Sequence, residues 1–314
     1  MTRYIINRLM ILPLLLLGIS VILFFLTQLI PGDPLVGRFG MRIAQMDEDQ
    51  IAALRGELGL DDPIYVQYGV YLGRLLQGDL GDSVTTRNPV LDEITARLPP
   101  TLELAVATML LVMILSVPLG IIAALNKGKL VDNVLMAGAL LGFSMPSFWL
   151  GIMLMLLFSL QLGMFPPAGR GEGMIFERLD HLILPTITLA LVFIGYNSRI
   201  VRSATLEIIE QDYVRTARSK GLSERYVLVR HIIPNTMIPL VTILGVQFAG
   251  LLGGTVIVET IFAWPGVGRL AINAISRRDY PIILGTTMFF ASFYILINLF
   301  VDVLYVVIDP RIRL

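Results

Sequence analysis

Hydrophobic residues along this chain are gathered in long blocks instead of short periodic stripes. Six blocks reach the length of about 20 apolar residues that a helix needs to cross a hydrocarbon core of about 30 Å. They cover residues 9–30, 101–125, 134–160, 182–201, 237–258 and 284–308. Because backbone groups in lipid must bond within their own segment, the pattern predicts an all-α integral membrane protein with six transmembrane helices.

The first block could be mistaken for a signal peptide, since Arg3 and Arg8 precede it. It is longer than a usual signal core, and Pro31-Gly32-Asp33-Pro34 follows it in place of a small-residue cleavage motif. We therefore predict that residues 1–30 form a retained first transmembrane helix.

Composition narrows the class further. The 314 residues are 55% hydrophobic and only 15% charged, whereas soluble domains have about 25% charged residues. A formal net charge of zero gives no reason to expect nucleic acid as a partner. The chain has no cysteine, which excludes disulfides and cysteine nucleophiles. His181 and His231 fall on opposite predicted sides of the membrane, so we expect no metal site, and we expect no catalytic residues.

Basic residues distinguish the two sides of the membrane. More than half of the 24 Lys and Arg residues lie in the two termini and in the segments after the second and fourth blocks. The positive-inside rule places these parts in the cytoplasm, so both termini are predicted to be inside. The segment 31–100, with helix-like stretches at 47–58 and 63–76, is then a small external subdomain. Residues 101–314 form a five-helix core.

The inner segment 203–235 carries the strongest functional signal. Gly221 can adopt a positive φ and end one helix, Ser223 can cap the next, and Pro234 marks the return to the membrane. Helical spacing predicts an apolar face made of Leu206, Ile209, Tyr213 and Ala217. We expect a basic amphipathic elbow at the cytoplasmic surface, and physics alone allows that it is merely held by anionic lipid.

The spacing within this elbow resembles the cytoplasmic signature of ABC-importer permeases. That signature reads Glu-Ala-Ala, three residues, Gly, nine residues and Ile-x-Leu-Pro, and Gly221 and Pro234 have the required spacing. Arg215 and Thr216 replace the Glu and the first Ala, and His231 replaces the Ile. The peptide-importer version has Asp-Tyr, then Arg-Thr-Ala-Arg, one residue and Lys-Gly, and residues 212–221 resemble it closely.

Short blocks along nearly the whole chain carry the same resemblance. They are Pro31-Gly32-Asp33-Pro34, Leu58-Gly59-Leu60-Asp61 with Pro63, Gly78-Asp79-Leu80-Gly81 with Ser83, Pro100-Thr101-Leu102, Glu259-Thr260-Ile261-Phe262 with Trp264-Pro265-Gly266, Arg278-Asp279-Tyr280-Pro281 and Asp309-Pro310-Arg311-Ile312-Arg313. The chain resembles the B-type subunit of the dipeptide, oligopeptide, glutathione and nickel permease family.

The resemblance implies a type I ABC-importer permease of the bacterial cytoplasmic (inner) membrane, surrounded by membrane lipid. Its implied partners are a related C-type permease forming a heterodimer, two cytoplasmic ABC ATPases and a periplasmic or lipid-anchored substrate-binding protein. No Gly-x-x-x-x-Gly-Lys-Ser/Thr loop occurs, so the chain should bind no cofactor and be no enzyme, with ATP and Mg in the ATPases. The implied ATPase-coupling residues are Asp212, Tyr213, Arg215, Thr216, Ala217, Arg218, Lys220, Gly221, Leu222 and Pro234.

Two further places are candidates. The outer segment after the fifth block is either an ordinary structured loop or, by the resemblance, an external gate that contacts the binding protein. Its candidate residues are Glu259, Trp264, Pro265, Arg269, Arg278 and Asp279. Asp302 lies within the last block, where a charge is expensive. It is either a structural partner of an arginine or part of the translocation path.

The expected function is therefore ATP-driven import of di- or oligopeptides or a glutathione-like peptide. An ABC permease for nickel chelates or opines is the alternative within the same class. A self-sufficient secondary transporter is the alternative from another class. It would be expected to have paired intramembrane charges and an inverted repeat, and neither is evident in the sequence.

Overall fold

The computed structural model describes residues 2–29, 46–57, 61–173 and 175–308. Within these ranges the regular structure is helical apart from one isolated bridge between Asp82 and Pro89, which confirms the all-α prediction. The motif 31–34, residues 58–60 of the next motif and the C-terminal motif 309–313 lie outside the described residues.

Helices make up most of the described part of the chain. In chain order they are α1 (Thr2–Leu29), α2 (Glu48–Glu57), α3 (Ile64–Leu76), α4 (Val90–Leu125), α5 (Leu130–Ser144), α6 (Ser147–Leu154, continued by the π-helix Met155–Gln161), α7 (Ile175–Ile209), α8 (Asp212–Ser219), α9 (Glu224–Val227, continued by the π-helix Leu228–Ile232), α10 (Ile233–Gly254), α11 (Val256–Ile261), α12 (Val267–Arg277) and α13 (Tyr280–Ile308).

Several of these helices are suited to a bilayer. In the described part of the chain, four helices are long and apolar enough to cross a membrane, and the pair α5–α6 makes a fifth if it counts as one span. The four are Val90–Leu125, Arg178–Ile209, Glu224–Leu251 and Tyr280–Val301. In α1 the apolar stretch is shorter, Met10–Leu26. The long apolar blocks of the sequence therefore correspond to helices.

The third predicted block, 134–160, is not one straight helix. Its two parts, α5 and α6, are bent by 102° at Met145 and Pro146, which both have extended backbone. Proline lacks the N–H that a helix needs and disfavours helical geometry in the residue before it. The break thus follows from Pro146, which a hydrophobicity pattern does not detect.

The chain divides into two compact units, Met1–Pro99 with Gly266–Leu296 and Pro100–Pro265 with Ile297–Leu314. In the second unit, Phe262 and Trp264 are fully buried in a cluster with Leu104, Leu184 and Leu251. There α7 packs closely on α5, since a side chain at Gly195 would overlap the Ala139 carbonyl.

The first unit has its own apolar core. It consists of Val90, Ile94, Val267, Ala274 and Ile282. This core brings α12 and the start of α13 against the start of α4. By contrast, α3 in the same unit has no buried residue.

Candidate functional site

The elbow is a helix, a tight turn and a second short helix. After α8, the chain turns at Gly221, whose φ of +80° is in the left-handed region. Its N–H donates to the Arg218 carbonyl at 2.9 Å. Ser223 then begins α9, and its hydroxyl accepts from the backbone N–H of Tyr226 at 3.4 Å. The roles predicted for Gly221 and Ser223 in chain geometry are confirmed.

One face of the elbow packs against the chain's own hydrophobic residues. Val214 and Ala217 are buried together with Val227 and Ile232, against the last turn of α7. Tyr213, which the periodicity placed on this face, is instead 43% exposed. The prediction was wrong there because α7 and α8 are separate helices, so the helical phase changes between them and Val214 points inward.

The opposite face of the elbow is open. It consists of Asp212, Tyr213, Arg215, Thr216, Lys220, Gly221, Leu222 and Tyr226, all exposed, and we call it the elbow surface. Tyrosine and arginine, both present on this surface, are enriched at protein interfaces relative to the rest of a protein surface. Of the predicted coupling residues, Ala217 is buried and supports the elbow from within, and Pro234 is exposed in the first turn of α10.

One bidentate ion pair joins the two short helices of the elbow. The Arg218 guanidinium donates to both carboxylate oxygens of Glu224, at 2.9 and 3.2 Å, and so bridges the turn around Gly221. Arg215 lies 3.8 Å from Asp212 in a largely exposed pair, which contributes little because water screens it. Glu224 was not among the predicted residues, and the helical pattern gave no signal for its partner across the turn.

A third ion pair, whose carboxylate is buried, lies close to the elbow in the chain. Arg202, on α7, donates to the two carboxylate oxygens of Asp132 at 2.6 and 2.7 Å. The Gly128 N–H adds a third hydrogen bond to Asp132 at 2.9 Å. Asp132, in the first turn of α5, is only 3% exposed. The pair thereby fastens the loop before α5 to the helix that leads into the elbow.

The outer-segment candidates in the second unit are structural anchors. Glu259 is fully buried and accepts hydrogen bonds from the Thr101 and Thr255 hydroxyls at 2.8 and 3.1 Å. Trp264 is fully buried as well, and its indole N–H donates to the Pro100 carbonyl at 2.9 Å. Pro265 is half-buried.

In the first unit, Asp279 is also an anchor. It accepts from the Ser83 hydroxyl at 2.5 Å and from the Thr85 N–H at 3.0 Å. Burial would raise the pKa of Asp279, but these hydrogen bonds outweigh it and hold the pKa below its usual value. The neighbouring Arg278 caps α12 with a φ of 56° and is exposed, and Arg269 is half-buried.

This burial changes how the outer candidates are assigned. The side chains of Glu259, Trp264 and Asp279 point into the chain, so the expectation that they touch another protein does not fit their position. Of the other outer candidates, Arg278 is exposed, and Arg269 and Pro265 are half-buried. Asp302 lies in α13, and its side chain is outside the described part of the chain.

No group of three or more potential metal ligands comes together in the described ranges.

Two family models together cover nearly the whole chain. The model described as "Binding-protein-dependent transport system inner membrane component" matches residues 116–314. A companion model for the N-terminal part of such membrane components matches residues 1–105.

Curated relatives match the chain from end to end. The di/tripeptide transport system permease protein DppB of Pseudomonas aeruginosa (strain UCBPP-PA14) is 42% identical over 335 residues, covering 100% of this chain and 99% of the relative. The glutathione transport system permease protein GsiC of Salmonella choleraesuis is 41% identical over 313 residues, with coverage of 100% and 99%. The dipeptide permease DppB of Escherichia coli (strain K12) is 38% identical over 338 residues, again covering 100% and 99%.

Solved structures share the fold at low sequence identity. An inward-facing MetNI methionine ABC transporter matches with a TM-score of 0.56 at 15% identity, covering 68% of this chain and 95% of that chain. An amino acid ABC transporter crystallised with histidines matches with a TM-score of 0.50 at 20% identity, covering 70% and 94%. The matched helices therefore have the fold of ABC-importer membrane subunits.

Proposed function

Because this chain belongs to the family of binding-protein-dependent transport system inner membrane components, we propose that it is the permease subunit of an ATP-driven peptide importer. It forms half of the translocation path and moves di- or oligopeptides, or a glutathione-like peptide, into the cell. The end-to-end similarity to di/tripeptide, dipeptide and glutathione permeases supports this cargo class.

The elbow surface is the observation that carries the proposal. Val214 and Ala217 fix one face of α8 to the body of the chain, while the other face stays exposed. A short helix that is packed on one face against the rest of the chain can transmit a force applied to its other face by a bound partner. We assign the elbow the task of seating in a groove of a cytoplasmic ATPase, with Tyr213 and Leu222 as its apolar contacts.

In this proposal the chain has six spans and both termini in the cytoplasm of a bacterial cell. Residues 1–30 contain the first span, 31–100 the external subdomain and 101–314 the five-helix core with the elbow at 203–235. The excess of Lys and Arg on the elbow side supports the orientation. The helices α1, α4, α5–α6, α7, α10 and α13 are the six spans.

The partners of this subunit are a related C-type permease, two ABC ATPases and an external substrate-binding protein. ATP and Mg bind to the ATPases, because this chain has no phosphate-binding loop. Closure of the ATPases moves the elbow, and the elbow shifts the population of the permease pair between inward-open and outward-open states. Arg278 and the half-buried Arg269 and Pro265 are candidates for contact with the binding protein.

The test is reconstitution of the whole importer in lipid vesicles. Vesicles with all subunits should take up labelled dipeptides, tripeptides or glutathione only when ATP and the binding protein are both present. The purified chain alone should hydrolyse no ATP. Uptake driven by an ion gradient without the ATPases, or ATP hydrolysis by the pure chain, would contradict the proposal.

A further inference from the structure

Helix α3 is apolar around most of its circumference, yet the chain buries none of its residues. Tyr65 is 74% exposed, Val70 51% and Leu76 80%. A helix that is hydrophobic on nearly all sides is normally buried in a core or in a membrane. The prediction of a small external subdomain at 31–100 gives no reason for such an exposed apolar surface.

The depth of α3 relative to the membrane follows from its contacts with α1, which belongs to the same unit. The Tyr68 hydroxyl is hydrogen-bonded to the Ser20 hydroxyl at 2.9 Å. The Tyr68 and Tyr71 rings pack against Phe24 with centroids 5.3 and 5.8 Å apart. A further hydrogen bond joins Gln28 to Gln67 at 3.2 Å.

Ser20 and Phe24 lie within the apolar stretch Met10–Leu26 of α1, and Gln28 lies two residues beyond its C-terminal end. At 1.5 Å per residue, Phe24 is about 3 Å and Ser20 about 9 Å inside its C-terminal end. That end is the outer one in the proposed topology. A helix that reaches Ser20 and Phe24 thus lies beside the hydrocarbon-spanning part of α1 and not above it.

We propose that α3 is a membrane-embedded helix that lies in the outer leaflet against α1, with lipid acyl chains as the ligand of its exposed face. Helix α1, against which α3 packs, also has exposed apolar residues, among them Leu14, Ile22 and Phe25. Interfacial helices of this kind insert about 5–10 Å below the headgroups.

The side chains of α3 fit this position. Tyrosine is enriched where membrane and water meet, and α3 has Tyr65, Tyr68 and Tyr71. The hydrogen bond between Tyr68 and Ser20 pairs two hydroxyls that would be costly to leave unpaired among acyl chains. Arg74 is exposed, and its long side chain can extend from an embedded helix to the headgroups.

Site-directed spin labelling tests the proposal directly, because the chain has no native cysteine. Nitroxides are placed at Val66→Cys and Val70→Cys of the full chain, in membranes that contain the assembled importer. Leu14→Cys on exposed α1 is the lipid control and Thr86→Cys in an exposed loop is the water control. Collision rates are measured with oxygen, which concentrates in lipid, and with a water-soluble nickel chelate.

The labels on α3 should collide with oxygen nearly as often as the label at Leu14 does. They should collide with the nickel chelate much less often than the label at Thr86 does. Nickel collisions as frequent as at Thr86 would place α3 in water and overturn the inference. Protection from both reagents at both positions would mean that another protein covers α3, which also overturns it. The inference rests on the membrane placement in the proposed function, and a Leu14 label accessible to nickel would overturn that placement too.

Discussion

The Arg202 guanidinium donates one hydrogen bond to each carboxylate oxygen of Asp132, although the two residues are 70 positions apart in the chain. Such a bidentate pair of arginine and carboxylate is among the stronger polar contacts in proteins. It joins the start of α5 to α7 ahead of the elbow. A movement of the elbow that displaces α7 must therefore also displace α5 or break this pair.

Loss of this pair should weaken coupling more than assembly. Arg202→Ala leaves the buried Asp132 carboxylate without its main partner. Helix α7, which leads into the elbow, is then no longer held to α5 by this pair. We expect the amount of peptide imported per ATP hydrolysed to fall several-fold, while the importer still assembles. The measurement is uptake and ATP hydrolysis in the same vesicles.

Arg199→Ala is the matched control, since Arg199 is exposed on the same helix about one turn earlier. It should leave the import ratio unchanged. The exchange of both charges, Asp132→Arg with Arg202→Asp, should restore part of the ratio that Arg202→Ala loses. An unchanged ratio in Arg202→Ala would remove the pair from the account of coupling.

Asp279 should make the outer fold sensitive to acid. Its pKa is lowered in the folded chain, so its ionised form stabilises the fold at neutral pH. That contribution decreases as the pH falls below the unfolded value of about 4 and is lost as the pH falls through the lower folded pKa. Asp279→Asn should be less stable than wild type at neutral pH and should lose less thermal stability on acidification.

The matched variant for this comparison is Asp82→Asn, an exposed carboxylate in the same unit. Its loss of melting temperature on acidification should follow that of wild type. If Asp279→Asn and wild type lost stability in parallel over the acid range, the hydrogen bonds from Ser83 and Thr85 would not be holding the carboxylate ionised.

Cysteine accessibility should confirm the direction of the chain. Thr86→Cys should react with a membrane-impermeant maleimide added outside intact cells, and Ser219→Cys should react only after the cells are opened. Both residues are exposed, so a missing reaction reports the membrane and not burial in the chain. The reverse labelling pattern would contradict the positive-inside assignment.

The sequence predicted the parts of the elbow that depend on local chemistry. Gly221 ends α8 and Ser223 caps α9 because a positive φ and a hydroxyl cap have few other residue choices. The register of the apolar face depended on α7 and α8 being continuous, and they are not. Tyr213 was therefore placed inside when Val214 is the buried residue.

The sequence could not predict which residues far apart in the chain pair with each other in the fold. Nothing in the composition around Asp132 distinguishes it from other charges at membrane ends, and only the fold brings Arg202 to it. In the outer segment, the family resemblance implied a contact surface for Glu259 and Trp264. The polar groups of both instead hydrogen-bond to partners in the Pro100–Thr101 region of α4. The sequence around Glu259 gives no sign that its carboxylate is buried.

The Gly221 turn offers the most direct test of the coupling role. Valine at a positive φ costs about 1–2 kcal/mol, and no atom lies within 4 Å of the Cβ that it would add at Gly221. Gly78 is the matched control, with a φ of +77°, equally open space and the same type of helix-ending hydrogen bond, to Leu75 at 3.0 Å. The two variants carry similar strain, and only one alters the elbow surface.

The decisive measurement is ATP hydrolysis stimulated by the binding protein, together with copurification of the ATPases, in Gly221→Val and Gly78→Val. Both variants should insert in the membrane. Gly221→Val should lose most of the stimulated hydrolysis or release the ATPases, while Gly78→Val keeps both. Full stimulated hydrolysis and uptake in Gly221→Val would contradict the coupling role and leave the elbow as an amphipathic hairpin held by lipid.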